Sequence, residues 1–116
     1  MVWNYDGRRF RVAQNCATGQ TSTETTFHYR QQNDLLWGTY EGGEIRWGTL
    51  TGLVSPDGAL NFHYTHVNQS GTICSGICQS IPELLPDGRI RLIETWRWTT
   101  GDRSAGESVI EELEAL

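Results

Sequence analysis

A carboxylate interrupts the most regular apolar pattern in the chain. From residue 90 to residue 99 alternate side chains are large and apolar, which predicts a strand with one inward face. That face holds Ile90, Leu92, Glu94, Trp96 and Trp98. A carboxylate placed there must be protonated, paired or desolvated. Glu94 is therefore a candidate general acid or base, a candidate ligand anchor, or an internal hydrogen-bond partner for Tyr, His or Arg.

A histidine ends a second inward row, which contains Leu60, Phe62, Tyr64 and His66. An imidazole titrates near neutrality, so His66 is a candidate to exchange a proton with Glu94 if the protein is an enzyme. The alternative is a structural histidine that caps the mouth of the fold and touches solvent. Tyr29 and Tyr64 either orient a ligand through their hydroxyls or pack in the core with those hydroxyls satisfied.

Aromatic side chains dominate the predicted interior. On a strand over residues 44–54, alternation predicts that Ile45, Trp47, Thr49 and Thr51 face inward, although Leu50 disagrees. Trp47, Trp96 and Trp98 then share the interior, where they either stack on a flat ligand or fill the space. The predicted ligand-binding residues are Tyr29, Trp47, Phe62, Tyr64, Trp96 and Trp98.

Several kinds of site lack the residues that they need. The sequence contains no lysine, which excludes Schiff-base chemistry, a pyridoxal-phosphate lysine and a P-loop. His63 and His66 are three residues apart and face opposite sides of a strand, so we expect no metal site. No Gly-x-Gly-x-x-Gly follows a strand, which argues against a dinucleotide site, and we predict no cofactor. Cys74 and Cys78 share a face but lie ~13 Å apart on a strand, too far for a disulfide. Three cysteines without an export signal predict reduced thiols in the cytoplasm.

Charge limits the partners. The net charge of −5 argues against nucleic acid and against an acidic membrane surface, because both need a basic face. An outward row of arginines, Arg89, Arg91 and Arg97, is either a solvated face or a contact patch for an acidic partner. A second copy could supply that partner through Glu107, Glu111, Glu112 and Glu114, so a homodimer is one interpretation.

Turn residues divide the chain into eight segments of strand length. We predict strands over residues 8–16, 21–31, 35–40, 44–54, 59–67, 72–84, 89–99 and 106–113. Phe10 and Val12 face inward on the first, and Phe27 and Tyr29 on the second, whereas the third and sixth are ambiguous. The last segment could be a short helix, but an eighth strand would pair with the first and remove the sheet edges. The prediction is a single all-β domain, residues 1–116, folded as an up-and-down antiparallel barrel.

Three stretches carry a resemblance to known proteins. They are residues 36–45 (LWGTYEGGEI), 86–98 (PDGRIRLIETWRW) and 106–108 (GES). Together they resemble a family of short bacterial proteins often labelled "N-acetylglutamate synthase". Such an acetyltransferase needs a mixed α/β fold and an acyl-CoA pyrophosphate loop, neither of which fits this pattern. The resemblance implies no catalytic residues.

The predicted architecture resembles the calycins, which are lipocalins, fatty-acid-binding proteins and avidin-like barrels. The Gly-x-Trp of the first lipocalin strand is missing here. Residues 95–101 (TWRWTTG) are similar to the aromatic strands of avidin-like barrels, without implying a biotin site. The resemblance therefore implies a fold rather than an activity.

Three functions follow from these patterns. The leading hypothesis is a barrel that binds a small apolar or aromatic molecule in its interior, oriented by Glu94, Tyr64 and His66. The second is a cofactor-independent lyase, isomerase or cyclase that uses Glu94 as acid or base. The third is a structural or interaction protein with a filled barrel.

Overall fold

Eight antiparallel strands form a closed barrel in the computed structural model, which describes residues 3–114. The strands are β1 (Arg9–Asn15), β2 (Thr26–Gln32), β3 (Leu35–Gly42), β4 (Ile45–Val54), β5 (Leu60–Asn68), β6 (Ile73–Leu84), β7 (Ile90–Trp98) and β8 (Ala105–Glu112). Each strand pairs with its neighbours in the chain, and β8 also pairs with β1. The predicted all-β up-and-down barrel is confirmed, including the eighth strand.

The alternating pattern predicts the inward faces correctly where a strand is regular. On β7 the predicted row from Ile90 to Trp98 is buried, and the residues between are half-buried or exposed. Phe10, Val12, Phe27 and Tyr29 are also buried. The ambiguous strands are now assigned: β3 turns Leu36, Gly38 and Tyr40 inward, and β6 turns Cys74, Gly76, Cys78 and Ser80 inward.

A bulge at the start of β4 makes one of these predictions wrong. Ile45 pairs with Asn68 and Trp47 with Val67, so β4 contains one more residue than β5 at this point. The extra residue shifts the alternation by one, which exchanges the two faces of the remaining strand. Trp47 is therefore on the outside, 50% exposed, and Thr49 and Thr51 are also outside. Leu50, the residue that disagreed, faces inward with 2% exposure.

The two ends of the barrel differ. At one end the segment before β1 closes the interior: the Tyr5 hydroxyl donates to the carbonyl oxygen of Gly58 at 2.6 Å. Gly58 has φ of 90°, and the Trp3 ring occupies the space of its missing Cβ. Fully buried apolar residues form the floor above this plug: Phe10, Leu36, Leu60, Ile90, Leu92 and Ile110.

At the opposite end the longest connection, residues 16–25 between β1 and β2, lies against the interior. The sequence predicts a strand from residue 21, but the structure begins β2 at Thr26, so the first five residues of that prediction are wrong. Short turns between β3 and β4, β5 and β6, and β7 and β8 complete this end. We call residues 16–25 the β1–β2 loop.

Three further observations concern the cysteines, metal-binding groups and membrane-spanning helices. Cys16, Cys74 and Cys78 are free thiols. Residues 3–114 contain no group of three His, Cys, Asp or Glu side chains arranged to hold a metal ion. Over the same residues the chain forms no helix long and apolar enough to cross a membrane.

Candidate functional site

A cavity of about 50 Å³ lies beneath the β1–β2 loop. Most of its wall is aromatic, with polar groups from the loop and from the middle of the barrel. The lining residues are Asn15, Gly19, Gln20, Thr21, Phe27, Tyr40, Leu50, Phe62, Tyr64, His66, Glu94, Trp96, Trp98 and Ser108. This volume holds a few water molecules, since one water needs roughly 10–15 Å³ measured in this way. An organic ligand needs more room, so a wall of the cavity must move to admit one.

Glu94 lies at the bottom of the cavity between two serines. Ser80, Glu94 and Ser108 are direct cross-strand partners on β6, β7 and β8, so their side chains meet inside the barrel. The Ser108 hydroxyl donates to Oε1 at 3.1 Å and the Ser80 hydroxyl to Oε2 at 3.0 Å. The Cys78 thiol donates to Oε2 at 3.7 Å. Among residues 3–114, no basic side chain bonds to this carboxylate.

Burial controls the charge of Glu94. Loss of water raises the pKa of this carboxyl from 4.5 to about 7, because the hydrogen bonds from Ser80, Ser108 and Cys78 only partly offset the cost of a buried charge. Near neutral pH the carboxyl is therefore present in both protonated and ionised forms. A group in this state can give or accept a proton, or ionise when a cation approaches.

His66 is held by a different network near the mouth. Its Nε2 lies 2.9 Å from the Gln20 amide oxygen, which can only accept, so Nε2 carries the proton. Nδ1 then accepts from the Tyr40 hydroxyl at 2.8 Å. Burial lowers the pKa of His66 to about 4, so the ring is neutral at pH 7. Both ring nitrogens form hydrogen bonds to groups other than Glu94. His66 is only 2% exposed, which differs from the interpretation in which it touches solvent.

Rings set at steep angles form the upper wall of the cavity. Tyr64 and Trp98 have centroids 5.5 Å apart and an interplanar angle of 74°, and Trp96 and Trp98 are 5.6 Å apart at 63°. His66 meets Trp98 at 81°. The Trp98 indole N–H donates to the carbonyl oxygen of Thr18 at 3.1 Å, which attaches the β1–β2 loop to this wall. The rings therefore form adjoining sides of a box rather than a single stack.

The structure brings together most of the predicted site residues. Phe62, Tyr64, His66, Glu94, Trp96 and Trp98 all line the cavity. Tyr29 is buried but does not line it, since its ring packs among Tyr5, Phe10, Phe27 and Phe62. Trp47 is on the outer surface, so the prediction that it faces a ligand in the interior is wrong.

Sequence reasoning missed several residues of the site, among them the polar residues Gln20, Tyr40, Ser80 and Ser108. Ser80 could have been predicted, because it lies an even number of residues from Cys74 and Cys78 and therefore shares their face of the strand. Ser108 needed the register between β7 and β8, and Tyr40 lies on a strand of ambiguous parity. Gln20 belongs to the β1–β2 loop, where no periodic pattern exists.

Comparison with known proteins supports the architecture. No curated protein and no solved structure matches the chain. The sequence profile described as "Avidin-like protein" matches residues 3–113, which is nearly the whole chain. The sequence match and the barrel therefore confirm the predicted resemblance to calycin-like barrels, through the avidin-like family. A closed eight-stranded barrel and a match of this length lead to one conclusion: the chain belongs to the avidin-like protein family.

Proposed function

We propose that the protein binds a small apolar or aromatic molecule inside the barrel. The observation that carries the proposal is the cavity beneath the β1–β2 loop, where a single buried carboxylate faces a wall of aromatic rings. Small-molecule sites commonly combine an apolar wall with a few placed polar groups. Membership of the avidin-like family supports the same function.

A ligand enters this site by displacing the β1–β2 loop. The opposite end is sealed by Tyr5 and a fully buried apolar floor. The loop is attached to the barrel by a small number of hydrogen bonds, chiefly Trp98 to Thr18 and His66 to Gln20. Breaking these bonds costs far less than opening the sheet, so the loop is the wall that moves.

The direct test is native mass spectrometry after incubation with a small-molecule extract of the source cells. Leu50→Trp should abolish retention, because Leu50 lines the cavity and an indole there fills it. Thr49→Trp is the matched control, since Thr49 is on the same strand but outside. Both variants are checked for folding by circular dichroism.

Two results would contradict the proposal. One is a compound that Leu50→Trp retains as well as the unmodified protein does, which would place binding outside the cavity. The other is a folded, unmodified protein that retains nothing. Loss of binding in Leu50→Trp but not in Thr49→Trp would support an interior ligand.

The pKa of Glu94 favours a second candidate function, a cofactor-independent lyase, isomerase or cyclase. A carboxyl with a pKa of about 7 is suited to general acid or base catalysis at neutral pH. Glu94→Gln should then abolish turnover of a retained compound while ligand affinity largely survives. Equal loss of binding and turnover would make Glu94 an anchor. His66 is neutral and bonded to Tyr40 and Gln20, so it acts on this chemistry only through other groups.

A homodimer is proposed on a different surface from the predicted one. The acidic complement is largely used within the chain: Glu111 pairs with Arg91, Glu112 with Arg8 and Glu114 with Arg9. Exposed apolar residues on the outside of the neighbouring strands β6 and β7 support self-association instead, namely Ile77, Ile81 and Ile93. Ile77→Asp should convert the dimer to a monomer in sedimentation equilibrium. A monomeric unmodified protein would contradict the proposal.

We also propose a cytoplasmic location, on the basis of cysteine usage. Cys16 is an exposed free thiol, and Cys74 and Cys78 are buried without a disulfide. Exposed free thiols are typical of reducing compartments. Cell fractionation tests this, and recovery outside the cytoplasm would contradict it.

A further inference from the structure

Among residues 3–114, the lining of the cavity contains one carboxylic acid, Glu94, and no arginine to balance its charge. Of the residues that line the cavity, only Glu94 and His66 titrate within the common pH range, and burial keeps His66 neutral. Arg8 is the largely buried arginine of the ion pairs in residues 3–114, and it is bonded to Glu112 at 2.8 Å at the sealed end. Any charge that develops in the described part of the cavity is therefore negative.

This charge distribution discriminates among ligands. A carboxylate or phosphate on the ligand would meet Glu94 as a like charge and would also find no basic partner. A neutral ligand can form a hydrogen bond to Glu94 but supplies no positive charge to balance the ionised carboxylate. A ligand cation pairs with the ionised carboxylate and supplies the positive charge that the site lacks. The order of preference is cation, then neutral molecule, then anion.

Ser80 and Ser108 hold the Glu94 carboxylate in an orientation that can accept hydrogen bonds from a cation. Each hydroxyl donates to a different oxygen of Glu94, which fixes the carboxylate plane. A carboxylate oxygen has further lone pairs, and a hydroxyl oxygen also accepts hydrogen bonds. Ser108 lines the cavity beside Glu94, so an ammonium group placed there has acceptors from two adjacent strands.

The aromatic rings of the upper wall also favour a ligand that carries an ammonium group. Tyr64, Trp96 and Trp98 form adjoining walls at angles of 63° and 74°, so their faces and edges surround a common space. A cation is attracted to the face of an aromatic ring, and Trp is the most effective ring. An anion is repelled by the same faces. The rings also bury the apolar body of the ligand.

We infer that the interior site takes a small organic amine in its protonated form, with the ammonium group at Glu94 and Ser108 and the apolar body against Tyr64, Trp96 and Trp98. The inference rests on the proposed function, since it names the ligand class of the same cavity. It adds a charge requirement that an apolar ligand site does not need.

The test compares three probes of nearly equal size by isothermal titration calorimetry: 2-phenylethylamine, 2-phenylethanol and phenylacetate. At pH 8 the amine is a cation, the alcohol is neutral and the acid is an anion. We expect the amine to bind about tenfold or more tightly than the alcohol, as a charge-assisted hydrogen bond predicts. Phenylacetate should bind most weakly.

Two substitutions of glutamate test whether the preference for the amine comes from Glu94. Glu94→Gln keeps the shape of the side chain and removes the charge, so the amine should lose its advantage while affinity for the alcohol remains. Glu107→Gln is the matched control, because Glu107 lies on the outside of β8 opposite Thr95 and is exposed. This control should leave the preference unchanged.

The pH dependence gives an independent readout. The titratable groups that face Glu94 are Cys78 from β6, Tyr29 from β2, Tyr40 from β3 and Tyr64 from β5, and burial raises the pKa of each. None of these ionises between pH 6 and pH 8. Affinity for the amine should therefore rise over that range as Glu94 ionises, and it should be flat in Glu94→Gln.

The outcomes separate the two proposals. Equal affinity for amine and alcohol would overturn the inference and leave an interior site for neutral molecules. Tighter binding of phenylacetate would overturn it as well. If the unmodified protein binds none of the three probes and retains no compound from the extract, both the inference and the proposed function fail.

Discussion

Two tyrosine hydroxyls inside the barrel have opposite hydrogen-bonding status. The Tyr5 hydroxyl donates to the Gly58 carbonyl oxygen, whereas the Tyr29 hydroxyl is buried without a partner among residues 3–114. The Tyr29 ring is nevertheless well packed, with Phe10 only 4.9 Å away between centroids. A buried polar group without a partner costs stability, and removing it should recover that cost.

We expect Tyr29→Phe to stabilise the fold and Tyr5→Phe to destabilise it. Loss of the unpaired Tyr29 hydroxyl should raise the free energy of unfolding by about 1 kcal/mol. Loss of the Tyr5 hydroxyl leaves the Gly58 oxygen unpaired and should lower it by about 1–2 kcal/mol. Urea unfolding of both variants measures the two effects. If Tyr29→Phe is destabilised as much as Tyr5→Phe is, the Tyr29 hydroxyl has a partner in solution.

Glu94 should make stability depend on pH in a direction unusual for a carboxylate. Its pKa is about 7 in the folded chain against an ordinary value of 4.5, so the folded state binds the proton more tightly. The resulting stabilisation is fully present below pH 4.5 and is lost as the pH rises to about 7. The difference between the two pKa values corresponds to about 3 kcal/mol.

This effect is isolated by comparing the unmodified protein with Glu94→Gln in urea between pH 5 and pH 8. As the pH rises, the free energy of unfolding of the unmodified protein should fall relative to that of Glu94→Gln. His66, with its lowered pKa, acts in the opposite direction in both proteins and cancels in the difference. Glu107→Gln should show no such change, and parallel curves for Glu94→Gln would refute the assigned pKa.

At the scale of elements, the β1–β2 loop depends on Gln20. Its amide oxygen accepts from His66 at 2.9 Å, and its amide nitrogen lies 3.5 Å from the Cys74 sulfur. Gln20→Ala would leave the buried His66 N–H without an acceptor, at a cost of about 1–3 kcal/mol. The loop should then open more often, so hydrogen exchange at the Gly19 amide should accelerate about tenfold or more.

Gln69→Ala is the control for this measurement. Gln69 lies in the turn between β5 and β6 at the same end of the barrel, and its side chain makes one exposed contact with the Gly43 oxygen at 3.4 Å. Its loss should leave exchange in the β1–β2 loop unchanged. Equal acceleration in both variants would mean that the end as a whole frays, and that Gln20 is not a specific attachment.

Elements also show what the sequence can and cannot predict. Alternation on β5 and β7 identified six of the side chains that line the cavity, because regular strands have a strict period of two. The same rule failed on β4, where a bulge beside Trp47 adds a residue. The local sign of this shift is Leu50, an apolar residue on the face that alternation assigns to the outside. Gln20 and Ser108 reach the site through a loop contact and a strand register, which are tertiary facts with no local signal.

At the scale of the whole molecule, the barrel closes at a short seam. β1 pairs with β2 only over Arg9–Arg11, and its pairing with β8 shifts register between Val12 and Gln14. Side chains reinforce this seam near the sealed end. The Arg8 Nη1 lies 2.8 and 2.9 Å from the two carboxylate oxygens of Glu112, whose Oε1 also accepts from the Ile90 amide.

This buried pair should dominate closure, and a neighbouring exposed pair provides the comparison. Arg8→Met leaves the Glu112 carboxylate buried without its cation, so we expect a loss of about 3 kcal/mol in the free energy of unfolding. Arg9→Met removes an exposed pair with Glu114 and should cost less than about 1 kcal/mol.

The double variant Arg8→Met/Glu112→Gln decides the mechanism. It should recover most of the loss, because a neutral amide tolerates burial and its oxygen still accepts from Ile90. Recovery would show that the penalty in Arg8→Met comes from an uncompensated charge at the seam. If the double variant is as unstable as Arg8→Met, the arginine acts through its packing and its bond to the Asn4 oxygen at 2.6 Å, and the ion pair is incidental to closure.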